Sequence, residues 1–322
     1  MWALWVVVLV AGVALIVWGA ETFAEHLGRA ATRLGVGAFA LALLLAGAEP
    51  EELATVVTAS LRGAPGIAFG DIIGTNIAMC TVALGLGAVI ATLPFSPRVF
   101  LYAVAALPVG AFGVVLVWDG ELSRLEGAIL VLLYVVYVAV IWRLERAPPL
   151  LGEVEELAEA EEEMAVRPAV ASQRRVGIEL GLVLAGLAAM VVGSTALVEA
   201  VRQITSIEAT QTKLGLTLVG FATAFELVML VWSASRRGAT DVALAGVVGS
   251  FGYNMTMSLG AGALVKPLAL TDATILRAPA VGMIVLLVAV LALALPTRRL
   301  GPLAGLGLLA TYPVFVLLVV LL

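Results

Sequence analysis

Apolar residues run through this chain in long blocks, broken by glycine, proline and short charged patches, rather than in the narrow stripe of a soluble helix. The blocks predict spans at 3–24, 36–61, 66–91, 99–117, 125–142, 176–198, 213–235, 239–264, 274–295 and 301–321. Each is close to the ~20 residues that a helix needs to cross ~30 Å of hydrocarbon, so helices and not barrel strands are the expected spanning element. The first block, from Trp2 to Ala20, has no basic residue before it and no small-residue cleavage site after it. It reads as the first helix and not as a removable signal peptide.

Composition agrees: of 322 residues, 62% are hydrophobic and 13% charged, and the mean hydropathy is +1.12. These values define an integral membrane protein. A single cysteine, Cys80, excludes a disulfide framework, and a single histidine, His26, leaves little for an imidazole metal site. The formal net charge of −5 comes largely from one loop and says little about partners. Sparse basic residues in short loops give no sign of nucleic-acid binding. With no HExxH, GxSxG or P-loop pattern, an enzyme is not expected.

Lys and Arg are unevenly shared between alternate loops. Arg29, Arg33, Arg98, Arg143, Arg146, Arg167, Arg174, Arg175, Arg236, Arg237, Arg298 and Arg299 lie on one side, against Arg62, Arg124, Arg202, Lys213 and Lys266 on the other. The positive-inside rule makes the first side cytoplasmic and places both termini outside, as expected for a prokaryotic-type cell (inner) membrane. The one long polar stretch, 146–175, joins two five-span halves: 1–142 and 176–322, with an acidic cytoplasmic linker at 143–175.

The halves are related. Shifting residue i onto i+175 lays TASLRGAPGIAFGDIIGTN (58–76) over SASRRGATDVALAGVVGSF (233–251) without a gap and puts Glu51 opposite Glu226. Since the shift spans an odd number of helices, the copies face opposite ways across the membrane. Inverted repeats place a binding site near the bilayer midplane, between discontinuous helices.

Ionisable groups at that depth cost roughly 2.5–3.5 kcal/mol each on insertion scales, and they persist where they face a cavity, a partner or a cation. Glu51, Glu52 and Glu226 fall mid-span, and Glu49 shares the turn of the first two. The only arginine inside a predicted span is Arg277, near the start of the ninth. Glu51 and Glu52 diverge by ~100° on a regular helix, so all three acids can face one ion only if Pro50 and Gly47 interrupt it. Asp71, Thr75 and Asn76 on span three and Ser250 and Asn254 on span eight add oxygen donors. Such a set suits hard cations: Ca2+, Mg2+, Mn2+ or Na+. Close helix packing is the other role open to Thr75 and Ser250.

The segments LGLTLVGFATAFEL (214–227) and RRGATDVALAGVVGS (236–250), with GAEPEEL (47–53) and RGAPGIAFGDIIGTN (62–76), resemble the two alpha-repeats of the calcium/cation antiporter superfamily, the sodium/calcium exchangers and their relatives. The usual pattern there is GLTLVAFGTSLPEL followed by KGEADIAVGNVIGSN. The resemblance implies ten helices in two inverted five-helix repeats and antiport of Ca2+, or of Mg2+ or Mn2+, against Na+ or H+ by alternating access. No cofactor is implied; the partners are inorganic cations and lipid, and the protein is expected to be a monomer. Carried over by position, Glu52, Thr75 and Asn76 belong to the first half of the site, and Thr223, Ser250 and Asn254 to the second.

Departures from the pattern are specific. Glu226 and Glu51 fall on the proline places, Leu227 stands where the second glutamate belongs, Met79 replaces an amide, and Ala48 and Ala224 replace hydroxyl residues. Internal symmetry pairs Glu51 with Glu226, whereas the family register selects Glu52. A passive cation channel or uniporter on the same scaffold is the alternative function, since acids also line selective pores.

Overall fold

The computed structural model describes residues 2–33, 49–145, 173–237 and 240–321. Among these, ten helical runs follow one another: α1 Trp2–Arg33, α2 Pro50–Leu61, α3 Pro65–Ile90, α4 Pro97–Leu116, α5 Arg124–Glu145, α6 Gln173–Ile204, α7 Glu208–Arg236, α8 from Thr240 to Val265, α9 Thr274–Ala294 and α10 Pro302–Leu321. The all-α, ten-helix reading of the sequence holds. The first part of the predicted second span, with Gly47 and Ala48, and most of the acidic linker lie outside the described residues. Helix α1 runs nine residues past the predicted end because its polar continuation, which begins EHLGRA, still runs along α6, where His26 Nδ1 lies 2.6 Å from Glu179 Oε2.

Symmetry between the halves extends to irregular details. A π-turn interrupts α3 at Met79–Ala83 and α8 at Asn254–Ser258, 175 residues on. Two short ribbons tie loops of one half to loops of the other: β1 Leu93–Pro94 pairs with β4 Arg299–Leu300, and β2 Glu121–Leu122 with β3 Leu268–Ala269. Asp272 Oδ1 accepts from the Thr274 N–H at 2.9 Å and the Thr274 hydroxyl at 2.6 Å at the start of α9, and these bonds hold its carboxyl below the usual range.

Lipid solvates apolar side chains as well as protein does, so close backbone approach, not hydrophobic burial, holds membrane helices together. Glycines provide it. Gly12 and Gly19 of α1 abut Gly193 and Gly186 of α6, Gly85 of α3 abuts Gly305 of α10, and Gly127 of α5 abuts Gly260 of α8. The closest seam is α3 on α7, where Gly66, Gly70 and Gly74 form one stripe against Thr212, Gly215, Leu216 and Gly220. Consequently α3 is almost wholly enclosed, whereas α10 is largely exposed.

A methyl group at Gly74 would collide with the Leu216 carbonyl, while one at Gly181 on α6 would meet nothing within 4 Å. Gly74→Ala is expected to destabilise the protein by ~1–3 kcal/mol through forced overpacking, and Gly181→Ala to be neutral or stabilising by up to ~1 kcal/mol through helix propensity. Thermal unfolding of the detergent-solubilised variants checks both.

Candidate cation site

The chain enters α2 at Glu49, whose backbone (φ −105°, ψ 86°) is not helical, and Pro50 takes the first helical position. Proline there lacks only an N–H that would have had no partner, and its fixed φ suits the turn. Glu51 and Glu52 follow in the first turn, at the positive end of the helix dipole. Because Glu49 sits outside the helix, the three acids converge despite the divergence of Glu51 and Glu52: each offers an oxygen within 4.8 Å of the others. All three are buried, at 1%, 2% and 0% exposure. Both oxygens of Glu49 and of Glu52, and Oε2 of Glu51, meet no hydrogen-bond donor.

The glycine seam between α3 and α7 builds the second wall. Asp71 and Thr75, one turn apart on α3, face Thr223 of α7. The Thr223 hydroxyl donates to Asp71 Oδ1 at 2.9 Å and lies 2.8 Å from that of Thr75, which is in turn 3.2 Å from the Gly220 carbonyl. Asp71 is fully buried, its Oδ2 has no partner, and Glu51 and Glu52 lie within electrostatic reach.

Helix α8 adds amides. Asn254 Nδ2 points to Asn76 Oδ1 at 3.4 Å and Asn76 Nδ2 to the Phe251 carbonyl at 3.5 Å, which leaves Asn254 Oδ1 without a partner. Ser250 is buried but turns its hydroxyl back to the Gly246 carbonyl at 3.0 Å. Tyr134 of α5 and Tyr253 of α8, edge to face at 5.3 Å between ring centres, stand within electrostatic reach of Glu49. Nothing in the spacing of the tyrosines marks them as neighbours of the acids; only the packing of α5 on α8 brings them there.

Glu226 occupies the mirrored first turn, where helix resumes after a break at Ala224. It is half-buried and stands outside the trio of α2, while Leu227 is packed in the core. The acids at the centre therefore come from the first repeat, and the second gives hydroxyl, amide and carbonyl oxygens.

Among the described residues no arginine or lysine is buried. Asp71 thus lies within electrostatic reach of Glu51 and Glu52, with no buried basic side chain among the described residues, an arrangement that mutual repulsion and desolvation oppose. A hard cation removes both penalties. Ca2+ takes 6–8 oxygens at 2.3–2.6 Å, and the carboxylates, Asn254 Oδ1 and the seam hydroxyls provide donors of that class.

The family described as "Sodium/calcium exchanger protein" matches residues 4–143 and 178–321. A membrane protein of Methanocaldococcus jannaschii, MJ0091, is 26% identical over 79% of each chain. The putative antiporter CaxA of Alkalimonas amylolytica is 26% identical over 91% of this chain and 89% of its own. Among solved structures, the sodium-calcium exchanger NCX_Mj soaked with Na+ and Sr2+ superposes with a TM-score of 0.61 at 23% identity, over 98% of each chain, and so shares the fold.

Neutralising one acid should act oppositely on the empty and the loaded protein. Glu52→Gln is expected to stabilise the cation-free protein by ~1–3 kcal/mol, the order of a relieved buried charge, and to abolish any rise in melting temperature caused by Ca2+ or Mn2+. Melting curves with chelator and with added cation test this; a Glu52→Gln protein with an undiminished Ca2+ shift would remove Glu52 from the site.

Proposed function

The chain belongs to the sodium/calcium exchanger protein family, and on that premise we propose that it is a secondary active antiporter exchanging Ca2+, or a similar divalent cation, for Na+ or H+ by alternating access. The observation that carries this reading is the convergence of Glu49, Glu51 and Glu52 on a buried point with Asp71 nearby and no buried basic side chain among the described residues.

In this proposal the cation is held by Glu51, Glu52 and Glu49, with Asn254 and the Thr75–Thr223 hydroxyl pair completing its shell. Asn76 orients the Asn254 amide, and Ser250 supports the α8 backbone behind it. A dication balances two carboxylate charges, and two Na+ or two H+ would do the same on the return. Either coupling ion therefore replaces the charge that the dication balances. Glu226 is the second-repeat acid, brought toward the site when the halves exchange roles. Residues 1–142 and 176–322 act as the two inverted units about the 143–175 linker, with the linker cytoplasmic and both termini outside a cell (inner) membrane. The transporting unit is one chain.

Uptake of radiolabelled Ca2+ into proteoliposomes under an outward Na+ gradient, an outward H+ gradient or none tests the proposal. Antiport predicts uptake that requires one gradient. Glu52→Gln should lower it by ~100-fold, the equivalent of ~3 kcal/mol, and Glu226→Gln should lower it too. Gradient-independent uptake would replace the antiporter with a channel. For the orientation, a periplasmic-type phosphatase fused after Leu322 should be active, and one inserted in the 143–175 linker inactive.

A further inference from the structure

Buried helical hydroxyls in this protein have a common resting place. Ser60, Thr81, Ser194, Ser250 and Thr256 each donate to the carbonyl four residues earlier, at 2.5–3.0 Å. That bond satisfies a hydroxyl inside an apolar helix bundle. Thr55 and Ser258 do not make it: both are fully buried, and neither hydroxyl has any partner. Asn254 Oδ1, equally buried, is in the same condition. Unmet polar atoms in a dry core are costly and call for an occupant.

The three groups lie along one seam. Glu52, Thr55, Val56 and Ser60 share a face of α2, and Asn254, Ser258 and Gly262 share a face of α8. These faces meet, since a methyl group at Gly262 would fall 2.6 Å from Val56 and 2.8 Å from the Ser60 hydroxyl, and one at Gly63 would fall 3.1 Å from Lys266 Nζ. The seam therefore runs from the carboxylates to the membrane surface at Gly63 and Lys266, with Thr55 and Ser258 one helical turn beyond the acids.

A symmetry-related seam runs toward the opposite surface, where Gly87 of α3 meets Val231 and Ser235 of α7, the residues 175 positions from Gly262, Val56 and Ser60. The packing is the same but the chemistry is not. Asn254, Ser258 and Thr55 are replaced there by Met79, Ala83 and Leu230, and Glu52 by Leu227.

We propose that the α2–α8 seam contains a second cation station, formed by the Thr55 and Ser258 hydroxyls and the Asn254 amide oxygen, where a hard cation exchanges part of its water shell on its way to the carboxylates. Neutral oxygens suit such a step, since they hold a partly hydrated ion without trapping it. The mirrored seam keeps one partnerless buried hydroxyl, Ser235 at the position of Ser60, but no side-chain oxygen at the positions of Thr55, Ser258 and Asn254, so the two faces of the protein differ in how a cation reaches the centre. The proposal rests on reading the carboxylates as the cargo site.

The test uses full-length protein in liposomes, lacking Cys80 (Cys80→Ala) and carrying one of Thr55→Cys, Ser258→Cys, Ala83→Cys or Leu230→Cys. A membrane-impermeant cationic methanethiosulfonate should modify the cysteines at 55 and 258 from the face bearing Lys266, and Ca2+, Mn2+ or Na+ should slow the reaction. Those at 83 and 230 should stay unmodified from either face. Cysteines at 55 and 258 that react from neither face, a reaction rate there that the cations leave unchanged, or equal reaction at the mirrored pair would overturn the station. As a second measurement, Thr55→Val with Ser258→Ala should weaken the apparent Ca2+ affinity from the Lys266 face about tenfold, or ~1.4 kcal/mol, and leave the other face unchanged; unaltered affinity on both faces would also overturn it. Thiol reactivity needs no ion flux, so failure of antiport and failure of the station are separate results.

Discussion

The rest of this structure is arranged around four buried carboxylates with no buried basic side chain among the described residues. Water would screen such charges, and an arginine at equal depth would neutralise them permanently. Proline opens α2 directly after the non-helical Glu49, so that acids on diverging positions reach a common point. The same break points the start of a helix at the cluster, and the partial positive charge of its amides offsets part of the repulsion.

The scaffold that holds this arrangement is symmetric in its backbone and asymmetric in its chemistry. π-turns recur 175 residues apart, ribbons join opposite halves in the same way, and glycine contacts repeat on both sides. Symmetric packing gives two related units, the kind of frame in which inverted repeats place a site between them. The carboxylates break that symmetry. Asp71 has glycine, Gly246, at its mirrored position, and Glu52 has Leu227, so the first repeat supplies the charge and the second supplies neutral oxygens. The glycine stripe of α3 serves this division, because only a backbone without side chains lets Thr223 of one repeat donate to Asp71 of the other.

The sequence by itself determined the class, the ten helices, the two related halves and three of the acids found buried, Glu49, Glu51 and Glu52, because each is a one-dimensional signal. Span length is fixed by bilayer thickness, and an acid in mid-span is visible against any apolar run. Family membership was legible for the same reason, from short motifs that keep their spacing. What the tertiary structure decided was which of those residues meet. Glu49, Glu51 and Glu52 converge because Glu49 lies outside helical geometry, and no periodicity reports a single non-helical residue. The joining of Asp71 to Thr223, and the orphaned hydroxyls of Thr55 and Ser258, depend on how closely two glycine-bearing backbones approach. That distance is set by contacts between segments far apart in the chain, and a sequence pattern carries side-chain order but not the gap between helices.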